Sequence, residues 1–190
     1  NIAQGVEKVE PDTTCFAFVG DSTFFASAIT GVVNAVYNQA NMVLVVLDNS
    51  TTAMTGHQPH PGTGRTVMGE IVQKINIEQV LRGIGVTEIE TINPLELEAS
   101  VSCVKRMAEK SGVRAIIFKA PCIAVTKPKA PLHVDQGSCI GCKKCIRDLG
   151  CPAIVMNDGK ICIDASMCTG CHLCSQVCPV CAIAGGDDYE

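Results

Sequence analysis

The sequence contains no tryptophan, and only 4% of its residues are aromatic. A stacking platform for nucleic-acid bases is built from such rings and is not expected here. A basic stripe is also missing: 15 Lys and Arg face 19 Asp and Glu, for a formal net charge of −4. Nucleic acid is therefore not an expected partner. No apolar run reaches the ~18 residues of a membrane span, so no membrane is expected either. Residues 1–5 lack a basic region followed by an apolar one, so no secretory signal is visible and a cytoplasmic protein is expected. An initiator methionine is missing too, as in a processed chain or a piece of a longer one. No G-x-G-x-x-G run occurs, which argues against a dinucleotide site.

What is present is a globular composition, 47% hydrophobic and 18% charged over 190 residues. That length suits one or two domains. There are also 13 cysteines, ten of them after residue 138. A disulfide scaffold needs an oxidising compartment. Without an export signal, dense and regularly spaced cysteines read as metal ligands.

Residues 1–120 alternate strand-like and helix-like runs. The apolar run 15–19 ends at Gly20-Asp21, as a buried parallel strand does. Residues 23–39 carry Phe25, Ala28, Ile29, Val32, Val33 and Val36 at helical spacing, with Ser22 or Thr23 as a candidate cap. A second buried strand is expected at 42–47, ending at Asp48-Asn49. Residues 50–66 are rich in Thr, Gly, Pro and His and read as a long loop of the kind that is usually functional. A short helix at 77–83, a strand at 88–92, a helix at 94–110 and a strand at 113–118 complete the order. Pro94 suits the first turn of its helix. This alternation implies an α/β domain with a doubly wound parallel sheet. Residues 121–134 include Pro121, Pro128 and Pro131. They read as a linker that can form neither a helix nor a central strand.

From 135 to 190 the chain is Cys-rich and internally repeated. Cys139, Cys142 and Cys145 form one C-x2-C-x2-C run, and Cys168, Cys171 and Cys174 form another. Cys151-Pro152 trails the first and Cys178-Pro179 the second. Structural zinc takes pairs of C-x2-C with four ligands around each ion, an arithmetic that two triplets do not fit. The pattern resembles that of the bacterial two-cluster ferredoxins, in which the fourth Cys serves the other cluster. The resemblance implies a small α+β domain of that type with two [4Fe-4S] clusters. One would be held by Cys139, Cys142, Cys145 and Cys178, the other by Cys168, Cys171, Cys174 and Cys151. The spacing to Cys151 is five residues where the second repeat has three, as an inserted loop would make it. Cys15, Cys103, Cys122, Cys162 and Cys181 read as small packing residues.

Gly20-Asp21-Ser22 ends one strand and opens a helix, and Asn49, 28 residues after Asp21, ends the next. Adjacent parallel strands bring both to the carboxyl edge of the sheet, where α/β proteins bind ligands. A magnesium ion there takes oxygen ligands shared with phosphate. Asp21, Asn49 and the Thr51 carbonyl are the candidates. The N–H groups opening the following helix would face the anion. The same tripeptide also serves as a plain turn and cap.

Gly-Asp, then about 28 residues, then Asn resembles the thiamine diphosphate signature, with Ser22 where many families have Gly. The stretches GDSTFFASAITGVVNAVYNQAN and VLDNSTTAMTGHQPHPGTG, followed by a two-cluster tail, resemble the alpha subunits of the indolepyruvate:ferredoxin oxidoreductases over essentially the whole chain. The resemblance implies a thiamine diphosphate and Mg2+ site formed by Gly20, Asp21, Ser22, Asn49 and Thr51, with weaker contacts from Thr52, Thr55 and Gly56. His57 and His60 stand beside it as candidates for diphosphate or substrate contact and for proton transfer. The implied reaction is oxidative decarboxylation of an aryl 2-oxo acid with coenzyme A. Its products are an arylacetyl-CoA, CO2 and reduced ferredoxin. The family's subunits are longer, so the chain resembles their carboxyl-terminal third. The expected partners are the rest of that subunit, a beta subunit and ferredoxin. Two other readings stay open: the same chemistry on pyruvate or 2-oxoglutarate, and a pure electron carrier, which has no use for Asp21 and Asn49.

Overall fold

The computed structural model describes residues 1–185; residues 186–190, the end of the expected Cys-rich domain, lie outside the described residues. The chain divides into two compact units, Asn1–Val125 and Thr126–Glu190.

In the first unit, α1 (Ile2–Val9) precedes β1 (Cys15–Gly20). The chain then turns directly into a helical stretch: α2 (Asp21–Thr23), a π-helical turn (Phe24–Ala28) and α3 (Ile29–Tyr37). β2 (Met42–Asp48), α4 (Ile77–Ile84), β3 (Glu88–Ile92), α5 (Leu97–Glu109) and β4 (Val113–Lys119) follow. The strands lie in the order β1-β2-β4-β3 and are all parallel. Alternate residues of β2 point to opposite faces. Leu44 and Val46 pack with Phe24, Val32 and Leu81 on one side, and Val43 and Val45 with Cys103 and Met107 of α5 on the other. Helices cover both faces, which is why β2 reads as an unbroken apolar run. Each such fully buried side chain contributes about 1.5–3 kcal/mol. β1 is an edge strand, and its Phe18 is 64% exposed.

Arg114 on β4 is buried. Its Nε donates to the Met107 carbonyl at 3.0 Å, and a terminal nitrogen donates to Asn41 Oδ1 and to the Gly112 carbonyl. The guanidinium thus joins the end of α5 to the starts of β2 and β4, and burial pushes its pKa down.

Two helix starts differ from the sequence reading. The first helix begins at Asp21 with Gly20 as its N-cap and no side-chain cap bond, so neither Ser22 nor Thr23 caps it. α5 begins at Leu97, not at Pro94. Asn93 Oδ1 accepts the Leu95 N–H at 3.0 Å, and this local turn takes up Pro94.

The second unit holds β5 (Leu132–Val134), α6 (Lys144–Leu149), β6 (Ile154–Asn157), β7 (Lys160–Ile163), α7 (Leu173–Val177) and β8 (Ile183–Gly185). β5 pairs with β8 and β6 with β7, both antiparallel. β5 falls inside the stretch read as linker. Pro128 and Pro131 precede the strand and so remove none of its N–H groups, and Leu132 is buried against the unit. The 3-10 turn Ile123–Val125 occupies the other end of that stretch. Cys122 and Cys162 are half-buried, less enclosed than core residues. Among the described residues, no helix is long and apolar enough to cross a membrane.

Candidate functional site

Parallel pairing sets Gly20 beside Leu47, so Asp21 comes level with Asp48 and Asn49 at the carboxyl edge. The two carboxylates differ in what they touch. Asp48 Oδ1 accepts the Ser50 N–H at 3.0 Å, and its Oδ2 lies 3.5 Å from Lys119 Nζ. Asp21 is 3% exposed, and its Oδ1 accepts the Ser22 N–H at 2.7 Å. Its Oδ2 is buried with no hydrogen bond, 3.2 Å from His60 Nε2. A buried carboxylate oxygen without a partner is costly, and a cation is what satisfies it. The donor set therefore fits a magnesium ion.

Asn49 Oδ1 accepts the Thr51 N–H at 3.2 Å, and the buried Thr51 carbonyl accepts the Ala53 N–H at 3.0 Å. Each oxygen keeps a second lone pair. Between them Ser50 sits at φ +62, a left-handed conformation that costs a residue with a β-carbon roughly 1–2 kcal/mol. Such strain collects at binding sites. Beyond it the chain doubles back, with the Thr52 N–H donating to the Gln58 carbonyl at 3.1 Å. Thr55, Gly56 and His57 form the exposed tip of this hairpin, with Thr55 Oγ1 bonded to Gln58 Oε1 at 2.7 Å. Of the two candidate histidines, only His60 reaches Asp21.

In the second unit, Cys139, Cys142, Cys145 and Cys178 line one small cavity of about 20 Å³, walled by Val134, Ile161 and Ile183. Burial raises the pKa of Cys145, and the charges of Cys142 and Cys178 add to this. Cys174 is pushed up to about 11, first by burial and then by Cys171 and Cys168, with a smaller part from Cys151. Cys178 thus shares a cavity with the first triplet, and Cys151 lies near enough to Cys174 to act on it. Backbone donors approach the sulfurs: Leu132 N–H lies 3.4 Å from Cys168 Sγ, and Ala182 N–H 3.3 Å from Cys178 Sγ. Cys181 is exposed. Among the described residues, no group of three or more His, Cys, Asp or Glu side chains is placed to hold a metal ion between them.

Residues 1–118 match the family model of the thiamine pyrophosphate enzymes' C-terminal TPP-binding domain. The chain belongs to this family. Among curated relatives, the indolepyruvate oxidoreductase subunit IorA of Methanothermobacter thermautotrophicus is 46% identical, covering 88% of this chain and 27% of that protein. The subunit of the same name from Archaeoglobus fulgidus is 40% identical over 88% of this chain and 28% of its own. The chain thus spans about a quarter of the length of the relatives it matches. A solved 2-oxoglutarate:ferredoxin oxidoreductase from Magnetococcus marinus, with 2-oxoglutarate, coenzyme A and succinyl-CoA bound, shares the fold. Its TM-score is 0.59 at 20% identity, covering 66% of this chain and 45% of that one.

Within the TPP-binding domain, three residues beside Asp21 and His60 escape a sequence reading. They are Phe25, whose ring lies 5.8 Å from that of His60, and Gly62 and Thr63, which bond to His60. The quartet His60-Pro61-Gly62-Thr63 was the available signal. In the Cys-rich unit the repeat extends further than its cysteines. Asp135 accepts the Gly137 N–H and Asp164 the Ser166 N–H, each at 2.9 Å. Their backbone carbonyls accept the N–H of Cys139 and Cys168, each at 3.0 Å.

Proposed function

We propose that this chain supplies the diphosphate- and metal-binding part of a thiamine diphosphate site, together with two [4Fe-4S] clusters, to a 2-oxoacid:ferredoxin oxidoreductase. The observation that carries the proposal is one chain holding both a buried, unpartnered Asp21 oxygen at a parallel-sheet edge and two cysteine triplets, with Cys178 in a cavity with the first and Cys151 near Cys174 of the second. When bound, thiamine diphosphate supplies the decarboxylating carbanion, and iron–sulfur clusters take up electrons singly. Asp21, Asn49 Oδ1 and the Thr51 carbonyl would hold Mg2+. Backbone N–H groups at the start of the helical stretch would face the diphosphate, with Gly20 and Ser22 shaping the turn and Thr52 the adjacent loop. Cys139, Cys142, Cys145 and Cys178 would hold one cluster, and Cys168, Cys171, Cys174 and Cys151 the other.

The names of the curated relatives favour an arylpyruvate such as indolepyruvate as the substrate, with coenzyme A, ferredoxin and a second subunit as partners. A pure electron carrier would leave the Asp21 site without a use. The complete complex should be profiled with indolepyruvate, phenylpyruvate, pyruvate and 2-oxoglutarate. Coenzyme-A-dependent ferredoxin reduction is expected with the aryl substrates first. A preference for pyruvate or 2-oxoglutarate would move the assignment to another member of the same chemistry. No reduction with any of the four would leave the electron-carrier reading.

A further inference from the structure

His60 Nε2 lies 3.2 Å from Asp21 Oδ2, and both side chains are only 4% exposed. Three contacts hold the ring there. The Thr63 hydroxyl donates to the His60 carbonyl at 2.8 Å and accepts the His60 N–H at 3.3 Å. Phe25 lies against the ring with centroids 5.8 Å apart. Its place is set by the π-helical turn Phe24–Ala28, a feature that often marks functional sites. The Gly62 N–H donates to His60 Nδ1 at 3.2 Å. A β-carbon on Gly62 would stand 3.0 Å from Phe25 and 3.1 Å from the imidazole, pressing on both rings.

The Gly62 contact decides the chemistry. A backbone amide only donates, so Nδ1 presents a lone pair, and the ring N–H is on Nε2. The nitrogen facing Asp21 is then a donor and not a lone pair able to ligate a metal. The geometry points to His60 as a positioning residue that holds the Asp21 carboxylate for its cation through an Nε2–H···Oδ2 hydrogen bond. With the Ser22 N–H on Oδ1, that bond would tether both oxygens and fix the carboxylate plane. Each oxygen keeps a lone pair for the ion. In this structure Nε2 and Oδ2 lie 3.2 Å apart without a hydrogen bond between them. Site hydrogen bonds of this kind tighten on loading. The inference rests on the proposed magnesium site and gives His60 a structural task in place of proton transfer.

The test uses the complete oxidoreductase, with Mg2+ affinity measured by calorimetry in the presence of thiamine diphosphate. His60→Ala should weaken Mg2+ by about 10–100-fold, as loss of a hydrogen bond to a ligand does, with iron content unchanged. His60→Gln, which retains a side-chain N–H donor, should recover most of that loss. Wild-type affinity in His60→Ala, or equal weakness in both variants, overturns the inference. A second arm needs no variant: Mn2+ replaces Mg2+ in the unaltered enzyme and its spin-echo spectrum is recorded. No directly bound nitrogen is expected, and a histidine nitrogen on the metal overturns the donor assignment. Failure of the unaltered enzyme to bind thiamine diphosphate with Mg2+ would overturn the site itself, and this inference with it.

Discussion

Asp21 and Asp48 are one strand apart, yet of the two only Asp21 has a buried oxygen without a hydrogen bond. Asp48 is neutralised by Lys119 and held by Ser50. Asp21→Ala should therefore weaken magnesium-dependent thiamine diphosphate binding by more than about 100-fold, beyond what loss of an outer partner costs. Iron content should be unchanged. Calorimetry at fixed Mg2+ reads the first and colorimetric iron analysis the second. Normal cofactor affinity in this variant would move the metal site elsewhere. A second contrast lies three residues apart. Cys178 lines the cavity of the first quartet, whereas Cys181 is exposed. Cys178→Ala should retain about four of roughly eight irons, because a cubane needs its fourth thiolate, and Cys181→Ala should retain them all. The reverse result would exchange the two assignments.

At the scale of elements, the two cluster loops look equivalent in sequence and are not equivalent in space. Gly141 and Gly170 hold matching places in the repeats, at φ +65 and φ +68. A β-carbon on Gly141 meets nothing within 4 Å, whereas one on Gly170 would come within 2.7 Å of the Ala130 carbonyl and of Lys129 Cβ. Gly141→Ala should cost only the left-handed penalty of about 1–2 kcal/mol and keep both clusters. Gly170→Ala should fail to assemble the Cys168–Cys171–Cys174 loop, seen as lost iron and a lowered melting temperature. Equal behaviour of the two would show that the Lys129-Ala130 segment yields. The same pair marks what sequence can and cannot reveal. The βαβ order was legible because β1 and β2 are apolar runs stopped by Gly or Asp, and the cysteine spacing displays the repeat openly. Strand β5 was hidden because three residues next to prolines carry no periodicity. The π-helical turn was hidden because Phe24, Phe25 and Ala28 fit ordinary helical spacing equally well. The meeting of His60 with Asp21 joins residues 39 apart in the chain, and no local pattern encodes the loop that closes it.

Taken whole, the chain joins a unit with a conventional core to one with little. The second unit offers two two-stranded sheets and helices of six and five residues, which are marginal without further support. Burial raises the pKa of Cys145 and of Cys174, so binding of the proposed clusters would release protons and supply folding energy together. Anaerobic chelation of iron should therefore unfold this unit and leave the parallel sheet folded. Hydrogen exchange would show protection lost in 126–185 and kept in β2 and β4; protection kept throughout would mean that the cysteine unit folds without its metal. The first unit carries a different liability. Strand β1 closes one edge of the sheet with unpaired backbone groups and an exposed Phe18, a template onto which further strands add. Concentrated solutions of the chain by itself should scatter light increasingly with time, and a single charge at the tip of that strand, Phe18→Lys, should keep them clear.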